Sequence, residues 1–113
     1  MISKANAMYA RIAPRKARVV ADLVRGKDVA DAVMLLEFLR KSAAPVVKKV
    51  IESAIANAVS GPGEIDADGL YVSKITVDKG PNRQMRRWRP RAFGRATRIV
   101  KGVSHIMVEL DER

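Results

Sequence analysis

Seven arginines crowd into residues 80–98, GPNRQMRRWRPRAFGRATR, with no aspartate or glutamate among them. They are Arg83, Arg86, Arg87, Arg89, Arg91, Arg95 and Arg98; with Lys79 and Lys101 at the flanks, nine basic residues follow one another without an acid. A guanidinium is a planar fork that takes a phosphate through two parallel N–H donors and lies flat on a base, whereas an ammonium is a point charge. Met85, Trp88 and Phe93 are interleaved with the arginines and could stack on bases or wedge against them. Pro81 and Pro90 lack backbone donors and stiffen the segment, while Gly80 and Gly94 allow turns or a close backbone approach. The chemistry this segment is equipped for is recognition of a polyanion, and the mixture of guanidinium and aromatic groups points to nucleic acid.

The charge is local. The chain carries +10, but nine of its 22 basic residues belong to this block, and the other 13 face 12 acids, a balance of +1. A block of like charge repels itself and needs solvent or a polyanion around it. A merely solvated or disordered run fits poorly, because the block is internal and flanked by strand patterns. The prolines spoil a membrane-surface helix. Trp88 as a core residue is awkward between Arg87 and Arg89. Elsewhere the alternatives stay open. Arg15, Arg18 and Arg25 form either a solvated helix face or a phosphate-contacting one, and Lys48 and Lys49 pose the same choice. His105, the single histidine, is read as a packed or phosphate-facing residue rather than a base.

Catalysis has little to work with. The chain has no cysteine, one histidine and no phosphate-binding glycine loop, and its carboxylates are scattered away from the basic block. A nuclease would place acids beside its basic cleft to hold metal. No enzyme, cofactor or metal site is expected. The lack of cysteine also fits a reducing compartment. No stretch approaches the roughly 18 apolar residues of a membrane span, and the N-terminal MISKANAMYARIAPRK lacks the apolar run of a signal peptide. A soluble intracellular protein is the default reading.

The elements that must carry these residues are legible from periodicity. At 113 residues the chain suits one domain, able to bury roughly 60% or more of its unfolded surface. Residues 2–12 read as a strand with Ile2, Met8, Ala10 and Ile12 on one face, interrupted by Lys4 and Asn6. Pro14 suits the first turn of a helix. Ala17, Val20, Ala21 and Val24 then form its core stripe, and Gly26 is placed to end it in a left-handed conformation. Asp28 can cap a second helix with a stripe of Val29, Ala32, Val33 and Leu36, running to about Leu39. A third begins after Ser42, with Pro45 in its first turn and Val47, Val50, Ile51, Ala54 and Ala58 buried. Residues 60–69, SGPGEIDADG, read as a loop. The next ten residues alternate, with Tyr71, Ile75 and Val77 on one face and Leu70 and Val72 on the other; Ile106, Val108 and Leu110 alternate likewise near the end.

The arginine block lies between these last two strands, which are expected to be antiparallel neighbours. A structureless connection of over 20 residues would be uncommon in a compact domain. An extended hairpin with about ten residues per side would project on the order of 30 Å. Two isolated strands are marginal in water, so an arm of this composition is expected to be ordered by an anionic partner. The division expected is a body of residues 1–78 and 102–113 with an arm of residues 79–101.

Five segments, in order, resemble the bacterial-type large-subunit ribosomal protein L twenty-two family: IAPRKARVVADLVRG at residues 12–26, ESAIANA at 52–58, LYVSKITVDKGP at 70–81, PRAFGRA at 90–96 and SHIMVEL at 104–110. The resemblance implies an α+β fold with three helices packed on a small antiparallel sheet and a long protruding β-hairpin arm. It implies binding to large-subunit ribosomal RNA, a part in subunit assembly, and an arm lining the nascent-peptide exit tunnel near where macrolides bind. The partners implied are that RNA, neighbouring ribosomal proteins and the nascent peptide, on a cytoplasmic ribosome, with the free protein a monomer. Pro14, Arg15, Lys16 and Arg18 would contact RNA from the first helix, and Arg91, Gly94 and Arg95 from the arm. Together with the residues read from charge, the expected RNA-binding set is Arg11, Pro14, Arg15, Lys16, Arg18, Arg25, Lys27, Lys79, Gly80, Pro81, Arg83, Arg86, Arg87, Trp88, Arg89, Pro90, Arg91, Gly94, Arg95, Arg98, Lys101 and His105. The expected tip is Arg86, Arg87, Trp88, Arg89, Pro90 and Arg91. Two departures stand out: the family often has serine where Ala13 stands, and the stretch between Pro81 and Pro90 is longer than the family's usual spacing. The competing reading is a DNA-architectural protein with arginine-rich β-arms, a type that works as a dimer on duplex.

Overall fold

The structure, a computed structural model, describes residues 2–61, 67–79, 86–90, 96–100 and 103–112. Strand β1 (Ser3–Ala10) leads into α1 (Pro14–Val24), α2 (Val29–Phe38) and α3 (Ala44–Ser60). A short 3-10 turn at Ala67–Gly69, inside the segment read as loop, precedes β2 (Leu70–Lys79). Then come β3 (Arg86–Pro90), β4 (Ala96–Val100) and β5 (Ser104–Glu112). The fold is α+β, with three helices and a three-stranded antiparallel sheet, as the sequence implies.

The sheet order is β1-β5-β2, so the last strand is the centre and β2 is a free edge. β5 alternates without interruption: Ser104, Ile106, Val108 and Leu110 are buried. Its neighbours do not, because each carries one extra residue. In β1, Ala7 pairs with Ile106 and Ala10 with Ser104, so Met8 and Tyr9 together face His105. In β2, Val72 pairs with Leu110 and Lys74 with Glu109, which leaves Ser73 over. An extra residue shifts which side chains point inward from that place on. Hence Ser3 and Ala5 are the buried residues of β1, while Met8, expected inside, is 57% exposed. Leu70, Val72, Ile75 and Val77 all face the core, and Tyr71 does not join Ile75 and Val77 as the simple alternation predicts. The Ser73 hydroxyl donates to the Glu109 carbonyl at 3.0 Å and so ties its bulge to the central strand.

The helices cover the buried face. α3 lies against β1 and β5, α1 runs beside β2, and α2 packs on α3. The stripes fall where the 3.6-residue period puts them: Ala17, Val20, Ala21 and Val24 on α1, and Ala44, Val47, Val50, Ile51, Ala54 and Ala58 on α3. Ile51, Leu70, Ile75, Ile106 and Leu110 are the largest side chains sealed from water, each stabilising by about 1.5–3 kcal/mol on burial. Alanines on α3 let it approach β1 closely. Ser3 can then donate from its hydroxyl to the Ala54 carbonyl at 2.8 Å, and the Asn57 amide donates to the Lys4 carbonyl at 3.0 Å.

The link between α1 and α2 is a tight turn. Arg25 has φ −62° and ψ 127°, Gly26 has φ 82°, and the Lys27 N–H donates to the Val24 carbonyl at 3.1 Å. These are the angles of a type II turn, whose third residue needs positive φ and therefore favours glycine. The turn is held against β2: Gly26 N–H donates to the Val72 carbonyl and Val72 N–H to the Lys27 carbonyl, both at 2.9 Å.

Candidate nucleic-acid interface

The end of the sheet from which the arginine-rich segment leaves is defined by one row of paired residues. Ala10 of β1 faces Ser104 of β5, and Ser104 faces Lys79 of β2. Arg11 follows directly on β1, His105 directly on Ser104, and α1 begins three residues after Arg11. Arg11, Lys79 and His105 therefore meet at this end, with Pro14, Arg15 and Lys16 in the opening turn of α1 close by in sequence. Ser104 is fully buried and its hydroxyl donates to the Ile12 carbonyl, which fixes the crossing from β1 to α1.

α1 adds a second feature. Its N-cap is Ala13, which makes no side-chain capping bond, and its first turn holds no acid. The unpaired N–H groups and positive dipole end of a helix favour an anion there, and Arg15 and Lys16 add to that bias. The side chains of Arg11, Arg15, Lys16, Lys27 and Lys79 are exposed and bond to no described residue, so they are available to an external anion.

Arg18 and Arg25 are different. Arg18 Nε donates to the Val77 carbonyl at 3.2 Å, and Arg25 Nη2 donates to the Ile75 carbonyl at 2.9 Å. Ile75 and Val77 lie two apart, so their carbonyls point to the same side, the free edge of β2. With the Val72–Lys27 pairing further along, α1 and its following turn close that edge. An unprotected edge strand invites pairing with another chain, and here two guanidinium groups occupy its acceptors. Arg25 also reaches the Asp22 carboxylate at 2.6 Å. α1 thus runs alongside β2 in the opposite direction, with Arg25 and Lys27 at the end far from Lys79. The structure does not bring those two together with Arg11, Lys79 and His105.

His105 is half-buried and packed. Its Nδ1 accepts the Tyr9 backbone N–H at 3.1 Å, and its ring stands perpendicular to the Tyr9 ring with centroids 4.9 Å apart. Tyr9 itself has φ 58° and is 62% exposed. Sequence reasoning overlooked Tyr9, because nothing in the one-dimensional pattern shows that a bulge falls there. Lys48, left open from sequence, bonds Glu37 at 3.1 Å and lies 3.8 Å from Glu52, so it is engaged with acids of the helical layer.

Of the arginine-rich segment, β3 and β4 are described, and they pair antiparallel: Arg86 opposite Val100, Arg87 opposite Ile99, Trp88 opposite Arg98, Arg89 opposite Thr97 and Pro90 opposite Ala96. The expected tip residues Arg86, Arg87, Trp88, Arg89 and Pro90 stand on β3, and the connection between the two strands spans residues 91–95. Gly80, Pro81, Arg83, Arg91, Gly94, Arg95 and Lys101 lie outside the described residues. Among the described residues no helix is long and apolar enough to cross a membrane, and no three His, Asp or Glu side chains gather to hold a metal.

The family described as Ribosomal protein L22p/L17e matches residues 5–111. The chain is 66% identical over 113 residues to the large ribosomal subunit protein uL22 of Sorangium cellulosum, covering all of this chain and 99% of that one. It is 53% identical to the protein of the same name from Syntrophus aciditrophicus, with full coverage of both. It is 54% identical over 110 residues to that of Bdellovibrio bacteriovorus, covering 97% of each. With the family matched from the first strand through the last, the chain belongs to the Ribosomal protein L22p/L17e family.

Proposed function

We propose that this protein is a structural constituent of the large ribosomal subunit, not an enzyme, and that it binds large-subunit ribosomal RNA by two surfaces. One is the arginine-rich arm built on β3 and β4. The other is the end of the body formed by Arg11, Pro14, Arg15, Lys16, Lys79 and His105. The observation that carries this reading is the family match from β1 to β5 joined to the acid-free run of nine basic residues. Guanidinium groups at that density have no anionic partner within their own segment, and folded RNA supplies one on every side. Arg18 and Arg25 serve the fold first, through β2, and present their remaining N–H donors to RNA. The arm lines the peptide exit tunnel and meets the nascent chain, the body rests among neighbouring ribosomal proteins, and the free cytoplasmic chain is a monomer that aids subunit assembly.

Sedimentation of the cellular protein tests this. It should travel with large ribosomal subunits and stay with them in moderate salt. Recovery only on DNA, as an obligate dimer, would replace this reading with that of an architectural DNA-binding protein.

A further inference from the structure

Resting on the RNA-binding reading, we infer that Tyr9 is a stacking site for an unpaired RNA base at the root of the arm. Three observations converge on it. First, Tyr9 holds a left-handed backbone conformation, φ 58°. That conformation is uncommon outside glycine, asparagine and aspartate, and a bulky residue kept there by its surroundings is a reason to look for function. Second, the bulge turns this ring outward. Met8 and Tyr9 share one partner, His105, and Tyr9 is 62% exposed, where regular alternation after the exposed Met8 would have turned residue 9 inward. Bulges commonly re-aim a side chain in this way.

Third, the ring is held but not covered. The His105 ring stands at 90° to it with centroids 4.9 Å apart, and a perpendicular neighbour can cover at most one face. His105 Nδ1 also accepts the Tyr9 N–H at 3.1 Å, which locks the bulge from the central strand. A base laid on the open face would find the exposed side chain of Arg11 two residues further along the same segment, bonded to no described residue. That cation suits a phosphate next to the base. A pre-held aromatic face beside a basic side chain is how single-stranded nucleic acid is gripped without sequence reading. The asparagine or glycine that the backbone angle would suit best could not provide it.

The test uses the full chain, a 12-nucleotide oligoadenylate and a blunt RNA duplex of the same length. Tyr9→Asn tolerates the left-handed angle and keeps the fold, which far-UV circular dichroism and the melting temperature check. Tyr9→Trp keeps a stacking face. We expect Tyr9→Asn to bind oligoadenylate about tenfold more weakly, with an unchanged dependence on salt and unchanged duplex binding, and Tyr9→Trp to restore the affinity. Stacking is not a counterion effect, so an unaltered salt slope separates it from loss of charge. Wild-type affinity in a folded Tyr9→Asn, while the arm's arginines still govern the salt slope, would overturn the stacking site and leave RNA binding standing. Failure of the wild-type chain to bind either RNA would overturn both.

Discussion

Removing Arg18 and Arg25 together should cost stability, not only affinity for RNA. Each donates to a carbonyl on the free edge of β2, at 3.2 Å to Val77 and 2.9 Å to Ile75. A hydrogen bond from a charged donor contributes about 1.5–3 kcal/mol when sealed from water. Both of these bonds are only partly buried, so water can replace the lost donor, and about 0.5–1.5 kcal/mol each is the fitting range. The Arg25–Asp22 pair adds little, because its side chains are 48% and 65% exposed. Arg18→Ala with Arg25→Ala should therefore destabilise the chain by about 1–3 kcal/mol, and at this size each kcal/mol lowers the melting temperature by about 4 °C.

Arg15→Ala is the control. Its side chain is exposed and bonded to no described residue, so it should change stability by less than about 0.5 kcal/mol while weakening RNA binding. Urea unfolding followed by far-UV circular dichroism would measure both variants against the unaltered chain. If the double variant unfolds at the same urea concentration as the unaltered chain, the two arginines do not hold the edge of β2. They would then be plain surface cations, and the distinction drawn between them and Arg15 would be wrong.

The arm should dominate the salt dependence of RNA binding. Arg86→Ala, Arg87→Ala and Arg89→Ala combined should flatten the slope of log affinity against log salt by about 2–3 units, since each phosphate contact contributes about 0.7–0.9; an unchanged slope in a filter-binding titration would place the binding element elsewhere. Gly26→Ala should destabilise by about 1–2 kcal/mol, because φ is 82° and a Cβ there meets nothing within 4 Å, leaving backbone strain as the sole cost. Gly26→Asn should lose less, as asparagine tolerates that region, and equal losses in thermal melts would point to a cause other than the dihedral angle.

The helical layer was readable because its signals are local. Pro14, the stripe of Ala17, Val20, Ala21 and Val24, and Gly26 each act within one or two turns, and the structure places each where that logic puts it. β5 was equally readable, being a central strand with no irregularity. β1 and β2 were not, since a bulge is settled by the partner strand and leaves no mark in a period-two pattern. That is why Met8 was assigned inward and Tyr71 was grouped with Ile75. The candidate interface was legible in part for the same reason. An acid-free run of arginine is visible in one dimension, whereas the attachment of Arg18 and Arg25 to an edge strand depends on α1 lying along β2. Tyr9 became visible only once Ala10 was set opposite Ser104.

The three-stranded sheet has a continuous apolar face that runs as far as its end at Lys79 and Ser104. Along β2 the inward residues Leu70, Val72, Ile75 and Val77 are each buried by the helical layer, and along β5 the alternate residues Leu110, Val108, Ile106 and Ser104 are buried as well. From Gly80 to Arg98 the sequence carries seven arginines and no acid, with Met85, Trp88 and Phe93 as its large apolar residues. The sheet can fix the register at the root, through Lys79 opposite Ser104. Two strands by themselves are marginal in water. In the function proposed here the missing stabilisation comes from phosphate. In that reading the contacts at this end of the sheet, the Tyr9 N–H on His105 and the Ser104 hydroxyl on Ile12, matter for RNA binding because they hold the strand ends to which the arginine-rich segment is joined.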